Sequence, residues 1–163
     1  MRTVPELTTS RCILSQILDE DLPVLSQIMQ DHYFQLYLPE LYGIVGLEDG
    51  WQCFLSSFNR YLDQNEGFLW GIHVNGEMIG FIAVMDLSIT PSMFYALHPS
   101  YRKLGYMKEG VNAVVDFLFT NNVCNHLQTE VYENNRPSLN ILYANGFDII
   151  KQAEGKFYLQ KKL

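Results

Sequence analysis

The stretch "ALHPSYRKLGYMKEGVNAVVDFLF" (residues 96–119) decides the fold of this chain. A short apolar run ends at Pro99, two cations (Arg102 and Lys103) and a lone Gly105 follow, and a helical pattern then begins. Met107, Val111, Val114, Val115 and Leu118 recur at spacings of three and four, with Lys108, Asn112 and Asp116 on the other side. That periodicity predicts an amphipathic helix, and Ala113 and Phe117 widen its apolar face enough to lie across a sheet. A helix N-terminus exposes unpaired backbone N–H groups and the positive end of the helix dipole. A turn with little side-chain bulk there becomes an anion cradle, to which Arg102 and Lys103 would add charge. For the glycine taken alone, the simpler reading is a permitted turn beside two solvated cations.

Upstream, "RCILSQIL" (residues 11–18) alternates as a strand does, and Asp19 to Asp21 supply the N-cap of a short helix ending at Met29. "DHYFQLYLPELYGIVG" (residues 31–46) reads as a loop or broken helix, interrupted by Pro39, Gly43 and Gly46. Residues 48–64 carry Trp51, Phe54, Leu55, Phe58, Tyr61 and Leu62 at helical spacing. "GFLWGIHV" and "EMIGFIAVMDL" are β-like runs joined by Asn75 and Gly76, a hairpin dipeptide, and "MFYALH" is a third run. Downstream, "HLQTEVY" reads as a strand and "NRPSLNILYANGF" as a short helix, with Pro137 in its first turn and Gly146 past its end. "FDIIKQA" and "KFYLQKK" read as a closing hairpin. Single crossover helices between strands predict an α/β (α+β) fold whose mixed sheet has a parallel pair near its middle. At 163 residues the chain is expected to form a single domain, 1–163.

Hydrophobic residues make up 48% and charged residues 18%, the composition of a globular protein. No charge-free apolar run approaches the ~20 residues of a membrane span, and "MRTVPELTTSRCILSQ" has no secretory h-region, so a cytoplasmic location and no membrane partner are expected. The net charge of −7, with basic residues scattered except at Arg102, Lys103, Lys108 and a C-terminal "KK", argues against a nucleic-acid partner. The acid surplus suits a cationic partner such as an amine, or serves solubility alone. Cys12, Cys53 and Cys124 are odd in number and far apart, as reduced thiols are. Cys124 and His126 fall short of the four ligands of a closed zinc site, and no metal is expected.

The chain has neither the GxxxxGK[ST] of a P-loop nor the GxGxxG of a dinucleotide fold. "LHPSYRKLGYMKEG" instead resembles the acetyl-CoA pyrophosphate loop of the GNAT superfamily of N-acetyltransferases, in which Gln or Arg is followed three residues on by Gly and two further on by Gly or Ala. Arg102, Gly105 and Met107 take those places, Met107 being a departure. Glu109 sits where the ribosomal-protein N-terminal acetyltransferase (RimJ/RimL-like) branch has glutamate. "NRPSLNILYANGF" resembles that branch's second signature, with Asn135, Ser138 and a closing Gly-Phe, and "TTSRCILSQILDEDLPVL" is similar to its N-terminal pattern of Thr-x-Arg running into an acidic helix start.

The resemblance implies a mostly antiparallel sheet of six to seven strands, helices on both faces and a splayed central parallel pair, "MFYALH" beside "HLQTEVY". It implies acetyl-CoA as cofactor. The pantetheine would pair with Tyr95, Ala96 and Leu97, and the pyrophosphate would sit at Arg102, Lys103, Leu104, Gly105, Tyr106, Met107 and Lys108. Asn135 and Ser138 would contribute to both binding and catalysis. It implies acetyl transfer to a primary amine, a protein N-terminus or a small molecule, by direct attack in a ternary complex, in a monomer or homodimer. A non-catalytic acyl-CoA-binding protein of the same fold is the alternative.

Many relatives place an acidic tyrosine seven residues after the asparagine; here that place is Leu142, with Tyr143 rotated by about 100° on the helix. The acid role passes to Ser138, which also reads as a serine capping its own helix, as Asn135 reads as an N-cap. No acidic residue lies between Asp86 and Glu109, so Asp86, Glu130 or a water chain is left for the base. His32, His73 and His98 have no support in the pattern. Phe34 and Leu36 are expected in the core, while Tyr33, Tyr37 and Tyr42 are open between core and acceptor wall.

Overall fold

The Thr9 N–H donates to the Cys12 carbonyl (2.9 Å), folding the chain back between β1 (Leu7–Thr8) and β2 (Ile13–Ser15). The structure, a computed structural model, describes residues 2–163, so Met1 of the expected 1–163 domain lies outside the described residues. The strand expected over 11–18 is shortened at both ends by side-chain chemistry: Arg11 leaves the sheet for Glu109, and Gln16 Oε1 accepts the Val4 N–H (3.1 Å).

A 3₁₀ turn at Asp19–Asp21, where Asp21 Oδ2 accepts the Leu18 N–H (2.9 Å), leads into α1 (Leu22–Gln30). The aromatic segment is a broken helix, α2 (His32–Tyr37) and α3 (Pro39–Val45). The break falls at Leu38 (φ −132°, ψ 53°), which the following proline excludes from helical geometry. α4 (Gly50–Asp63) starts two residues later than expected because Asp49 is left-handed (φ 55°). Then come β3 (Phe68–Val74), β4 (Glu77–Met85) and β5 (Ser92–Leu97), the first two joined through Asn75 and Gly76 at φ 52° and 82°, as a tight hairpin turn requires. α5 (Tyr106–Thr120), β6 (His126–Tyr132), α6 (Arg136–Ala144), β7 (Asp148–Ala153) and β8 (Lys156–Lys162) complete the chain.

The strands form one sheet in the order β1-β2-β3-β4-β5-β6-β8-β7, antiparallel except for the β5–β6 pair. It has eight strands where six to seven are expected; the additional one is the two-residue β1, too short to show a period-two pattern.

Alternation along the central strands sends side chains to two cores. Trp70, Ile72, Ile82 and Val84 meet α5 and α6 through Val111, Val114, Leu118 and Leu139. Phe81, Ala83 and Leu69 meet α1 to α4 through Leu25, Phe34, Phe54 and Phe58. Phe34 is buried as expected, but Leu36, two positions along the same short helix, is 48% exposed. Among the described residues no helix is long and apolar enough to cross a membrane.

Candidate active site

β5 and β6 pair at one position, Ser92 opposite Gln128, backed by the Gln128 N–H on the Pro91 carbonyl (2.8 Å). Beyond it no β6 partner reaches Met93 to Leu97, and the strands open a cleft of about 450 Å³. All of the site residues expected from the sequence line this cleft except Leu104, which is 53% exposed.

At one end lies the mouth of α5. Gly105 is its N-cap at φ 85°, a left-handed conformation costly for any residue with a Cβ. A Cβ there would lie 3.2 Å from Arg11 Nη2. The first helical hydrogen bond runs from Glu109 N to the Gly105 carbonyl (3.1 Å), which leaves the N–H groups of Tyr106, Met107 and Lys108 without a helical acceptor. Met107 contributes backbone to this end while its side chain, 3% exposed, packs into the core with Val111 and Ile79. The long side chain therefore does not widen the turn.

The two arginines of the site are placed differently from a simple reading of the turn. The Arg102 guanidinium pairs with the Asp31 carboxylate and lies 4.4 Å from the Tyr33 ring centroid, on the side of α2. Arg11, from the β1–β2 turn, is the cation against Gly105: it donates to the Leu104 carbonyl (2.9 Å) and sits over the Tyr106 ring (4.2 Å). Glu109 holds it there, accepting from the Arg11 N–H (2.8 Å), from Arg11 Nε (2.9 Å) and from the Thr9 hydroxyl. Partial burial pushes the Glu109 carboxyl up, but the hydrogen bonds from Thr9 and Arg11 outweigh it and hold the group below its ordinary range. Sequence reasoning missed Arg11 as a residue of this turn. Thr9-x-Arg11 and Glu109 were both visible signals, but nothing in spacing links positions 98 residues apart.

At the other end, Asn135 caps α6. Its Oδ1 accepts the Ser138 N–H (3.4 Å) and the Tyr33 hydroxyl. Ser138 is 6% exposed, and its Oγ lies 2.6 Å from the Tyr95 hydroxyl. Burial holds the Tyr95 phenol well above its ordinary range, so it stays protonated and able to donate. Leu142 is fully buried and Tyr143 is 44% exposed, and neither lines the cleft.

Glu130 is the carboxylate that lines the cleft among the described residues, and the Lys156 ammonium, which also faces Glu40 (3.5 Å), lies 3.2 Å from it. Asp86 occupies a left-handed turn (φ 57°) away from the cleft. His98 is engaged by the Ser100 N–H (3.1 Å) and Gln27 (3.1 Å), and His73 by Ser15 (3.2 Å), near Asp21 (3.6 Å). His32 opens α2 and does not line the cleft. Tyr33 and Tyr37 form part of the cleft wall, stacked edge to face at 4.7 Å, whereas Tyr42 lies outside it.

The acetyltransferase (GNAT) domain family matches residues 11–148. The chain is 28% identical over 92 residues to the peptidyl-lysine N-acetyltransferase YiaC of Escherichia coli (strain K12), covering 56% of each protein. It is 25% identical over 150 residues to the uncharacterized N-acetyltransferase YoaA of Bacillus subtilis (strain 168), covering 88% of this chain and 82% of that one. Among solved structures, RimL, a ribosomal L7/L12 alpha-N-protein acetyltransferase in complex with coenzyme A, superposes with a TM-score of 0.80 at 13% identity over 99% of this chain and 98% of its own.

Proposed function

We propose that this chain, which belongs to the GNAT acetyltransferase family, transfers an acetyl group from acetyl-CoA to the primary amine of a protein, at an N-terminus or a lysine. The observation that carries this reading is a single cleft that joins an anion-accepting helix mouth at Gly105 to the Tyr95–Ser138 hydroxyl pair. The resemblances to a peptidyl-lysine acetyltransferase and to the RimL fold support a protein amine over a metabolite. The three cysteines, all free thiols, suit a cytoplasmic enzyme, and the whole chain is read as one acetyltransferase domain.

The residues present fit the cofactor. Gly105 leaves the space a Cβ would fill, and the N–H groups of Tyr106, Met107 and Lys108 face an anion with the positive end of α5 behind them. The β6-facing backbone of Tyr95 to Leu97 has no β6 partner and is open to an extended amide chain. Acetyl-CoA, when bound, supplies an activated acyl carbon and a thiolate leaving group.

The side chains then divide the work. With Tyr95 donating to Ser138 Oγ, the Ser138 proton is free to point into the cleft, where the serine would relay to the leaving sulfur the proton that the attacking amine gives up, so that its own oxygen ends neutral and Tyr95 keeps its proton. Asn135 Oδ1 is saturated by Ser138 N–H and Tyr33, so its amide Nδ2, unpaired among the described residues, is left to donate to a carbonyl oxygen in the cleft.

A second reading, a cofactor-binding protein without turnover, draws on one observation: the carboxylate in the cleft, Glu130, is already paired with Lys156. Thermal shift with acetyl-CoA and CoA, followed by thiol release over N-terminal peptides, lysine peptides and small amines, separates the two. Stabilisation with turnover is the expected result. Stabilisation without turnover on any amine favours the second reading, and neither effect sinks both.

A further inference from the structure

Tyr33 is tied to both halves of the cleft. Its ring lies against the Arg102 guanidinium of the phosphate turn (4.4 Å), and its hydroxyl donates to Asn135 Oδ1 at the start of α6. α2 and α6 pack in different cores, on opposite faces of the sheet. The Tyr33–Asn135 bond therefore runs through the gap that the splay of β5 and β6 opens. An amine arriving on the α2 face must meet the acyl group in that same gap.

The carboxylates nearby are committed elsewhere. Asp31 is taken by Arg102 and Glu130 by Lys156. Tyr33 is different: its one proton is given to Asn135, and a phenol oxygen that donates its proton still has lone pairs to offer.

We propose that Tyr33 Oη accepts a hydrogen bond from the acceptor amine and so aims the nitrogen lone pair at the acyl carbon, making Tyr33 a substrate-orienting residue. The assignment rests on the acetyltransferase reading above. Tyr33 takes no proton in this role. Burial, against the hydrogen bond to Asn135, holds its phenol above the ordinary range, so it remains a neutral acceptor at neutral pH.

Tyr33→Phe tests it, because the ring over Arg102 is kept and one oxygen is removed. The expected result is a fall of about tenfold in kcat/KM for the amine, the size of one hydrogen bond between neutral partners. The dissociation constant for acetyl-CoA, measured by calorimetry, is expected to stay within about twofold, and the melting temperature to hold. An unchanged kcat/KM for the amine overturns the assignment, as does a Tyr33→Phe loss that disappears in an Asn135→Ala background, which would mean that the hydroxyl acts only through Asn135. A wild-type chain that consumes no acetyl-CoA with any amine sinks the acetyltransferase reading itself, a result distinct from an active wild type indifferent to Tyr33→Phe.

Discussion

The Tyr95 hydroxyl lies 2.6 Å from Ser138 Oγ, linking β5 to α6 between positions 43 residues apart. Both groups are neutral alcohols at neutral pH, so the pair can pass a proton without holding a buried charge. Ser138→Ala is expected to lower kcat by about a hundredfold or more, the usual scale of a lost proton donor, with a much smaller change in acetyl-CoA affinity. Tyr95→Phe is expected to fall between that variant and wild type. Steady-state kinetics beside calorimetric titration of acetyl-CoA decides it, and wild-type turnover in Ser138→Ala would remove the serine from the chemistry.

Gly105→Asp places a carboxylate at the mouth of α5, at a φ of 85° that disfavours any side chain. Loss of measurable acetyl-CoA binding is the expected outcome. Gly105→Ala carries the backbone strain without the charge and crowds Arg11 Nη2 at 3.2 Å, a flexible neighbour able to shift. It is expected to bind more weakly than wild type but measurably. Equal affinity in Gly105→Asp and wild type would count against an anion at this helix end.

Met107→Ala brings the chain closer to the family's small residue and should nevertheless harm it. The side chain is 3% exposed in the core, so truncation leaves a cavity and costs about 2 to 5 kcal/mol of stability. Denaturant unfolding measures the cost. Acetyl-CoA affinity of the folded variant is expected to change little, because the Met107 side chain packs in the core and its backbone N–H, kept in the variant, is what the helix mouth offers.

Glu109 ties the β1–β2 turn to α5, and its folded carboxyl lies below the ordinary range. A lowered folded value means that its stabilisation is full above the unfolded value, about 4.3, and drains away as pH falls through the folded one. Glu109→Gln is expected to lower the melting temperature by a few degrees (~3 °C) near pH 7. That gap should close as the pH drops below about 4. A gap that widens in acid would reverse the sign and exclude the carboxylate as its source.

Much of the fold was legible because it is written in local patterns. The α5 periodicity, the Asn75-Gly76 turn and the Pro137 and Gly146 boundaries of α6 all appear in the structure where the chain places them. The misses have local causes too. β1 is two residues long, below any period, and Leu36 sits on a helix too short to show which of its faces is buried.

The candidate site was legible only in outline. The positions of Gly105, Asn135 and Ser138 along the chain set which groups can meet at a splayed strand pair, because helix starts and caps depend on neighbours a few residues away. What those groups touch was decided by tertiary structure. Arg102 turns to Asp31 and Tyr33, Arg11 takes its place against Gly105, Tyr95 reaches Ser138, and Met107 goes inward. Each of these, apart from the inward turn of Met107, joins residues between 43 and 94 positions apart. A side chain's partner at that separation is fixed by how sheet and helices pack, which no spacing along the chain records.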